Sequence, residues 1–321
     1  MNRVIRLILG AVLFIALIIG VMVPQLLTMN DETLTIAAQP LKGFYWPYYL
    51  GIPGSTSRVA ESGQAIYLLV IPNNTGYPSD NQSVHEEAAR KTVERRLGFA
   101  RSLKVILLVP ALPRPLKHEE IYTHALDRGA MTTDVTEIKR LDLQLIAMIK
   151  DAREKLLLRG IKTKEKVLML GFSASGMFVN RFTILHPELV QAAAIGAPGG
   201  WPTAPVREFQ GVDLKYPIGV YEIEQLVHKE FDIEVFRLVP MYFYIGEEDT
   251  NDCVPPVDRM REEQRLMYMD MGTKPIERWP VAESIYRYVG CNSQFVSYPG
   301  VGHVITREML RDIKAFFLDS L

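Results

Sequence analysis

Ser173 is the residue of this chain best suited to nucleophilic chemistry, because of the small residues around it. It lies in Gly171-Phe-Ser-Ala-Ser-Gly176, between an apolar run that predicts a strand and a stretch with helical spacing. A sharp strand-to-helix turn presents one hydroxyl, and it requires small residues two positions before and two positions after that hydroxyl. Gly171 and Ser175 meet this requirement for Ser173, whereas the corresponding position after Ser175 is the large Met177. A serine in such a turn can also serve only as a helix cap.

The segment resembles the nucleophile elbow of the α/β-hydrolase superfamily, with one departure. The pattern Gly-x-Ser-x-Gly of that family has glycine where this chain has Ser175, which is still small enough for the turn. The resemblance implies an oxyanion hole made of two backbone N–H groups. One is that of Ala174, directly after the nucleophile, and the other is that of Asn74 or Thr75, in the loop after a predicted strand over residues 65–72.

An activated serine needs a base, and the base needs an acid that orients it. Among six histidines, His303 alone follows a short predicted strand through a glycine-rich turn and precedes the last helix, while His124 is its rival. Asp249 stands just after a predicted strand, at the position where the family resembled places its acid. Asp252 is the alternative acid, and helix capping is its other role. The order Ser173, Asp249, His303 is that of α/β-hydrolases.

This resemblance implies acyl transfer, most simply a serine esterase that acts on small or lipid-like carboxylic esters through an acyl-enzyme. Two alternatives stay open: a peptidase or amidase on the same fold, and a non-catalytic binding protein with a hydrolase fold. No metal or organic cofactor is expected. Trp201, Tyr122 and His124 are the candidate substrate contacts, and a packing role is the alternative for each.

Strands and helices alternate after residue 30, which predicts an α/β fold with a mostly parallel sheet and helices on both faces. We expect one hydrolase domain over residues 31–321, with a cap insertion over 199–237. Apolar runs predict strands at 34–38, 65–72, 104–110, 166–171, 190–198, 238–246 and 295–298. Periodic stretches predict helices at 83–99, 137–159, 256–271 and 306–318, besides the helix after the elbow. The first of these has a capping box at Ser83 and Glu86.

The charge balance argues against a polyanionic partner. Lys and Arg together number 36 against 37 Asp plus Glu, so no nucleic-acid surface is expected. The sequence makes no prediction of oligomeric state.

The first thirty residues differ from the rest. Arg3 and Arg6 precede an uninterrupted apolar run over residues 7–23. This pattern predicts a signal anchor over residues 1–30 that forms a transmembrane helix, with the remainder of the chain on the extracytoplasmic side. The alternative is a cleaved signal peptide and a secreted protein.

The chain contains two cysteines, Cys253 and Cys291. Cys253 lies near the predicted acid, and Cys291 lies just before the strand that leads to His303. On the extracytoplasmic side they are candidates for a disulfide, and two separate thiols are the alternative.

Overall fold

A computed structural model describes residues 30–255 and 257–321 of the chain. The predicted signal anchor therefore lies outside the described residues, apart from residue 30. Among the residues described, no helix is both long enough and apolar enough to cross a membrane.

A mixed sheet forms the centre of the structure. Its strands are β1 (Glu32–Ile36), β2 (Tyr48–Ile52), β3 (Leu68–Val70), β4 (Ile106–Pro110), β5 (Val167–Phe172), β6 (Val190–Gly196), β9 (Met241–Gly246) and β10 (Ser293–Tyr298), and β7 (Glu208–Phe209) pairs with β8 (Val212–Asp213) in a separate hairpin. Within the described ranges the large sheet has the order β1-β2-β4-β3-β5-β6-β9-β10. Strand β2 is antiparallel to both its neighbours, and the pairs from β4 to β10 are parallel. The predicted, mostly parallel sheet is confirmed.

The central strands read as continuous apolar runs because both faces of the sheet are covered. Along β5, Val167 and Met169 belong to one hydrophobic core, whereas Leu168 and Leu170 belong to the core on the opposite face. The strand therefore separates two cores, and a polar residue at any of these four positions would be buried.

Helices cover both faces, as predicted. They are α1 (Ser55–Glu61), α2 (Gln82–Leu103), α3 (Arg128–Thr132), α4 (Leu141–Leu158), α5 (Ala174–Leu185), α6 (Ile223–Val227), α7 (Ile233–Phe236), α8 (Glu262–Arg265), α9 (Pro275–Val289) and α10 (Arg307–Asp319). Helices α2 and α10 contribute side chains to one core, and α4, α5 and α9 contribute to the other. This arrangement fixes β5 and α5, which flank Ser173.

The helices differ from the prediction in three places. The helix predicted over 256–271 is instead a 3₁₀ turn at Val257–Arg259, the short α8 and a π-helical turn at Leu266–Asp270. Helix α9 was not predicted, because Pro280 lies inside it and removes one backbone donor. The capping box predicted at Ser83 is replaced by Asn81, whose side chain accepts a hydrogen bond from the Ser83 N–H.

The segment 199–237, predicted as a cap, leaves the sheet after β6 and returns to it at β9. It contains the β7–β8 hairpin, α6 and α7. Trp201, Leu214 and Ile218 from this segment form a small core with Met267 and Tyr268. The segment therefore packs against the 257–271 region rather than extending into solvent.

Candidate active site

Ser173 occupies a sharp turn between β5 and α5. Its backbone angles are φ 61° and ψ −127°, outside the regions that L-residues ordinarily populate. Its N–H donates to the Gly196 carbonyl at 2.9 Å, and its carbonyl accepts the N–H of Met177 at 3.0 Å. These bonds hold the strained residue between the neighbouring strand and the first turn of the helix, which is the backbone expected of a nucleophile elbow.

Close backbone contacts explain the small residues around Ser173. A Cβ on Gly171 would lie 2.1 Å from the Ser175 carbonyl oxygen, and a Cβ on Gly176 would lie 2.3 Å from the Gly196 carbonyl oxygen. Ser175 fits where the related pattern has glycine, because its Oγ turns back onto Phe172. That oxygen donates to the Phe172 carbonyl at 2.9 Å and accepts the Phe172 N–H at 3.0 Å.

The substitution Gly176→Ala is expected to destabilise the fold by about 3 kcal/mol, because backbone atoms must move to admit the methyl group. Gly98→Ala is the matched control: Gly98 lies in helix α2, and a Cβ there meets nothing within 4 Å. That control is expected to raise the free energy of unfolding by about 0.5 to 1 kcal/mol. Urea unfolding of both variants measures the difference, and equal effects would contradict the steric account.

Asp249 and His303 are joined by a hydrogen bond at the carboxyl ends of β9 and β10. Nδ1 of His303 donates to Oδ2 of Asp249 at 2.8 Å, and Oδ1 of Asp249 accepts the Asn251 N–H at 2.8 Å. The Asp249 residue is 2% exposed, whereas a quarter of the His303 side chain is accessible. A buried acid that holds Nδ1–H leaves Nε2 of the imidazole as the nitrogen able to accept a proton.

The loops that carry these two side chains are joined by their backbones. The N–H groups of Glu247 and Glu248 donate to the carbonyls of Tyr298 and Val301, at 3.0 and 2.9 Å. Gly246 permits this approach, since a Cβ there would lie 2.1 Å from the Val301 carbonyl oxygen. The separation of acid and base is therefore set by the two adjacent strands.

The His303 ring lies against the elbow. Its centroid is 4.7 Å from that of Phe172, the residue before Ser173. The described residues show no direct hydrogen bond between Ser173 and His303, a bond that often tightens only when substrate binds.

Tyr244 connects the strand of the acid with the strand of the serine. This fully buried β9 residue donates its hydroxyl to the Gly171 carbonyl at 3.1 Å. Its ring crosses β6 at Gly196, where a Cβ would lie 2.3 Å from the ring. The glycine in β6 thus leaves room for a side chain that reaches from β9 to β5.

The alternative acid, Asp252, has a different partner. Its carboxylate is paired with Arg278, a fully buried guanidinium that also donates to the Gly200 carbonyl at 3.0 Å. The structure brings Asp249 to His303 and places Asp252 in a salt bridge that holds the loop after β6. It does not support Asp252 as the acid.

The backbone N–H groups predicted for the oxyanion hole are available to a developing negative charge. Among the residues described, those of Ala174, Asn74 and Thr75 donate to no protein acceptor. Ala174 is the first residue of α5, where unpaired donors and the helix dipole favour an anion. Asn74 and Phe172 line the same cavity of 280 Å³. The oxyanion-hole roles stay a prediction.

Comparisons with known proteins address the fold. No protein-family model and no curated protein sequence matches the chain. The solved structure of poly(aspartic acid) hydrolase-1 from Sphingomonas sp. KT-1 is similar, with a TM-score of 0.56 and 15% identity over 90% of this chain and 98% of that chain. A poly(3-hydroxybutyrate) depolymerase from Bordetella parapertussis also has a TM-score of 0.56, with 16% identity over 91% and 90% of the two chains. The chain has the α/β-hydrolase fold.

A cavity of 520 Å³ in this α/β-hydrolase fold opens beside the elbow. Tyr122, Met177, Trp201 and Cys253 are among the residues that line it. Tyr122 packs on Ala174 and Met177. Trp201 is almost buried, and its indole N–H donates to the Ile218 carbonyl at 3.1 Å. Tyr122 and Trp201 are therefore placed at the cavity, while their contact with substrate stays a prediction.

His124 does not line this cavity, so its prediction as a substrate contact or rival base is wrong. It is fully buried, and its Nε2 lies 2.8 Å from the Leu112 carbonyl oxygen. Burial lowers the pKa of His124 from 6.5 to about 3, although the bond to Leu112 opposes the shift. A neutral, buried histidine that donates to the backbone is a structural residue.

This pKa predicts acid sensitivity. Below pH 6.5 the unfolded chain gains a proton on His124 that the folded chain does not bind, so stability is lost as the pH falls from about 6.5 towards 3. The expected contribution is about 1.4 kcal/mol per pH unit. Urea unfolding between pH 6.5 and 5 should show a shallower slope for His124→Gln, with exposed His228→Asn as the control. An unchanged slope in His124→Gln would contradict this origin.

The disulfide prediction is wrong, since both cysteines are free thiols. Cys291 precedes β10 and Cys253 follows β9, and these two strands are parallel. The cysteines therefore lie at opposite ends of strands about 17 to 20 Å long. A disulfide requires Cα atoms within about 7 Å.

Sequence reasoning missed two residues that shape the site. Asn73, fully buried, bonds both the N–H and the carbonyl of Leu112 through its side chain at 2.9 Å, and so fixes the loop that holds Asn74. Arg181 lines the cavity beside the elbow. Its signal in the sequence was the single charge on an otherwise uncharged helix, two turns after Ser173.

Proposed function

We propose that the protein is a serine hydrolase that cleaves carboxylic esters through an acyl-enzyme intermediate. The observation that carries the proposal is the 2.8 Å bond from His303 to buried Asp249, with the imidazole in contact with Phe172 of the strained elbow at Ser173. Nucleophile, base and orienting acid at three strand ends are the arrangement that acyl transfer needs. Both similar structures are named as a hydrolase or a depolymerase, which supports a hydrolytic reaction.

The reaction follows from these positions. Ser173 Oγ attacks the ester carbonyl while its proton passes to Nε2 of His303, and Asp249 stabilises the resulting imidazolium. The N–H groups of Ala174 and of Asn74 or Thr75 hold the oxyanion. The imidazolium then protonates the departing alcohol. Water, deprotonated by His303, attacks the acyl-enzyme and releases the acid together with the free serine.

A fluorophosphonate probe tests the proposal, because it forms a covalent bond with an activated serine hydroxyl and leaves an ordinary serine unmodified. Covalent labelling of the peptide that contains Ser173 is expected, together with hydrolysis of 4-nitrophenyl butyrate. A peptide 4-nitroanilide should turn over far more slowly. Rapid anilide cleavage would favour the peptidase or amidase alternative, and absence of both labelling and turnover would favour a binding protein.

We also propose that residues 1–30 anchor the hydrolase domain on the extracytoplasmic side of a membrane. The support is the sequence, in which Arg3 and Arg6 precede the apolar run over 7–23. The full chain should sediment with membranes, whereas a chain starting at residue 31 should stay in the supernatant and keep its esterase activity. A mature N-terminus beyond residue 23 would show cleavage instead.

A further inference from the structure

Arg181 is a buried guanidinium at the wall of the cavity beside the elbow. It lies on α5 about two turns, or about 12 Å of helix axis, after Ser173. Side chains on a helix lean towards its N-terminus, so the guanidinium points back along the helix towards Ser173. The residue is only 8% exposed and it lines the 520 Å³ cavity.

The hydrogen-bond partners of Arg181 are both neutral groups. Nη1 donates to the Ala125 carbonyl at 2.6 Å, and Nη2 lies 3.6 Å from Sδ of Met177. A guanidinium has five N–H donors, and within residues 30–255 and 257–321 no carboxylate forms an ion pair with this one. A buried charge of this kind is costly unless something pairs with it.

Among the described residues, the carboxylates around the cavity either bond to groups other than Arg181 or face solvent. The Asp127 carboxylate interacts electrostatically with Arg181 but forms no ion pair with it, and it accepts the N–H groups of Tyr122 and Ala130, at 2.8 and 2.9 Å. Glu222 is paired with Arg128 and Glu263 with Arg261, so these two arginines of the cavity are neutralised. Glu120 lines the cavity and is exposed. Arg181 therefore differs from the other arginines that line the cavity.

A second arginine, Arg114, does not line the cavity but packs on Tyr122, which does. The Arg114 guanidinium lies 4.1 Å from the ring centroid of Tyr122, and its Nη1 donates to the Gly76 carbonyl at 3.1 Å. Burial raises the pKa of Tyr122 and of the Cys253 thiol, and the charges of Arg114 and Arg181 oppose this rise at both groups. The field of both arginines thus reaches the space next to the elbow.

We propose that this cavity binds a carboxylate of the substrate, through the Arg181 guanidinium with support from Arg114. The substrate class is then an ester that carries a carboxylate group several bonds from the scissile carbonyl. The fork of an arginine suits a carboxylate, since two parallel N–H···O bonds fix its orientation. This assignment rests on the proposed esterase function and names its substrate class.

Two matched pairs of substrates test the assignment. The mono-4-nitrophenyl ester of glutaric acid is compared with 4-nitrophenyl pentanoate, and 4-carboxyphenyl butyrate is compared with phenyl butyrate. We expect kcat/KM to be about 10- to 100-fold higher for the charged member of at least one pair, as a charge-assisted hydrogen bond provides. Equal rates within both pairs would overturn the proposal.

Variants then locate the effect. Arg181→Gln should abolish the preference for the charged member of the pair. Arg181→Lys should keep part of that preference, because the charge remains but the fork is lost. Arg128→Gln, which removes a paired arginine of the same cavity, should leave the preference in place. A preference that survives both Arg181 variants would refute the role of Arg181. Arg181→Lys provides the test if Arg181→Gln does not fold.

A binding measurement separates this inference from the proposed function. Glutarate binding to the Ser173→Ala protein, followed by calorimetry, requires no hydrolysis. Binding that is weakened in Ser173→Ala/Arg181→Lys and lost in Ser173→Ala/Arg181→Gln supports the carboxylate site even if no ester is cleaved. Labelling of Ser173 without any glutarate binding or charge preference would leave the hydrolase standing and remove the carboxylate site.

Discussion

Ser173→Ala is expected to lower kcat for 4-nitrophenyl butyrate by about four to six orders of magnitude, because no other group can form the acyl-enzyme. The protein should stay folded, since the Ser173 side chain makes no hydrogen bond with other described residues. Circular dichroism and urea unfolding check the fold, and fluorophosphonate labelling should disappear together with the activity.

Ser175→Ala is the matched control, two residues further along the same turn. Its Oγ bonds both the N–H and the carbonyl of Phe172, so its removal should cost about 1 kcal/mol of stability. Labelling and most of the turnover should remain. If Ser175→Ala abolished labelling and Ser173→Ala did not, the nucleophile would be Ser175.

Asp249→Asn is expected to lower kcat by about 10⁴, because an amide no longer holds the imidazole in the correct tautomer or stabilises its cation. Its stability should change little. Asp252→Asn should show the opposite pattern, with most activity per folded molecule retained. It leaves the fully buried Arg278 without its carboxylate, which should cost about 3 to 5 kcal/mol of folding free energy.

The two aspartates are thus distinguished by two independent measurements, the turnover of the folded enzyme and the midpoint of urea unfolding. A large loss of turnover in Asp252→Asn with normal activity in Asp249→Asn would assign the acid role to Asp252. Loss of stability in both variants, with equal loss of turnover, would mean that neither carboxylate has a specific catalytic role.

The parts of the site that the sequence predicted are those set by local sterics. The turn at Ser173 could be predicted because Gly171, Ser175 and Gly176 are the residues that the backbone contacts of the elbow tolerate. The sheet could be predicted because strands buried on both faces have no polar positions. The assignment of Asp249 over Asp252 also agrees with the partners seen in the structure.

The failures concern contacts between segments far apart in the chain. His124 lies in a polar loop, yet the fold buries it against Leu112. Cys253 follows β9 and Cys291 precedes β10, and because these strands are parallel the two cysteines lie at opposite ends of them. The position of Arg181 in a largely apolar helix predicts a buried, structural side chain. The charge is visible in the sequence, but only the structure shows that Arg181 borders a cavity.

The Tyr244 side chain spans β6 through the gap at Gly196 and links β9 directly to β5, which should affect how the site opens. Strands β5 and β9 are not neighbours, so in most sheets they would be coupled only through the strand between them. Here the hydrogen bond from Tyr244 to Gly171 links the two strands directly, so we expect Ser173 to move together with the strand that carries the acid. Strand β10 is hydrogen-bonded to that strand along its length. Hydrogen exchange should therefore report one cooperative opening for β5, β9 and β10, with a common protection factor, rather than separate fraying of each strand end.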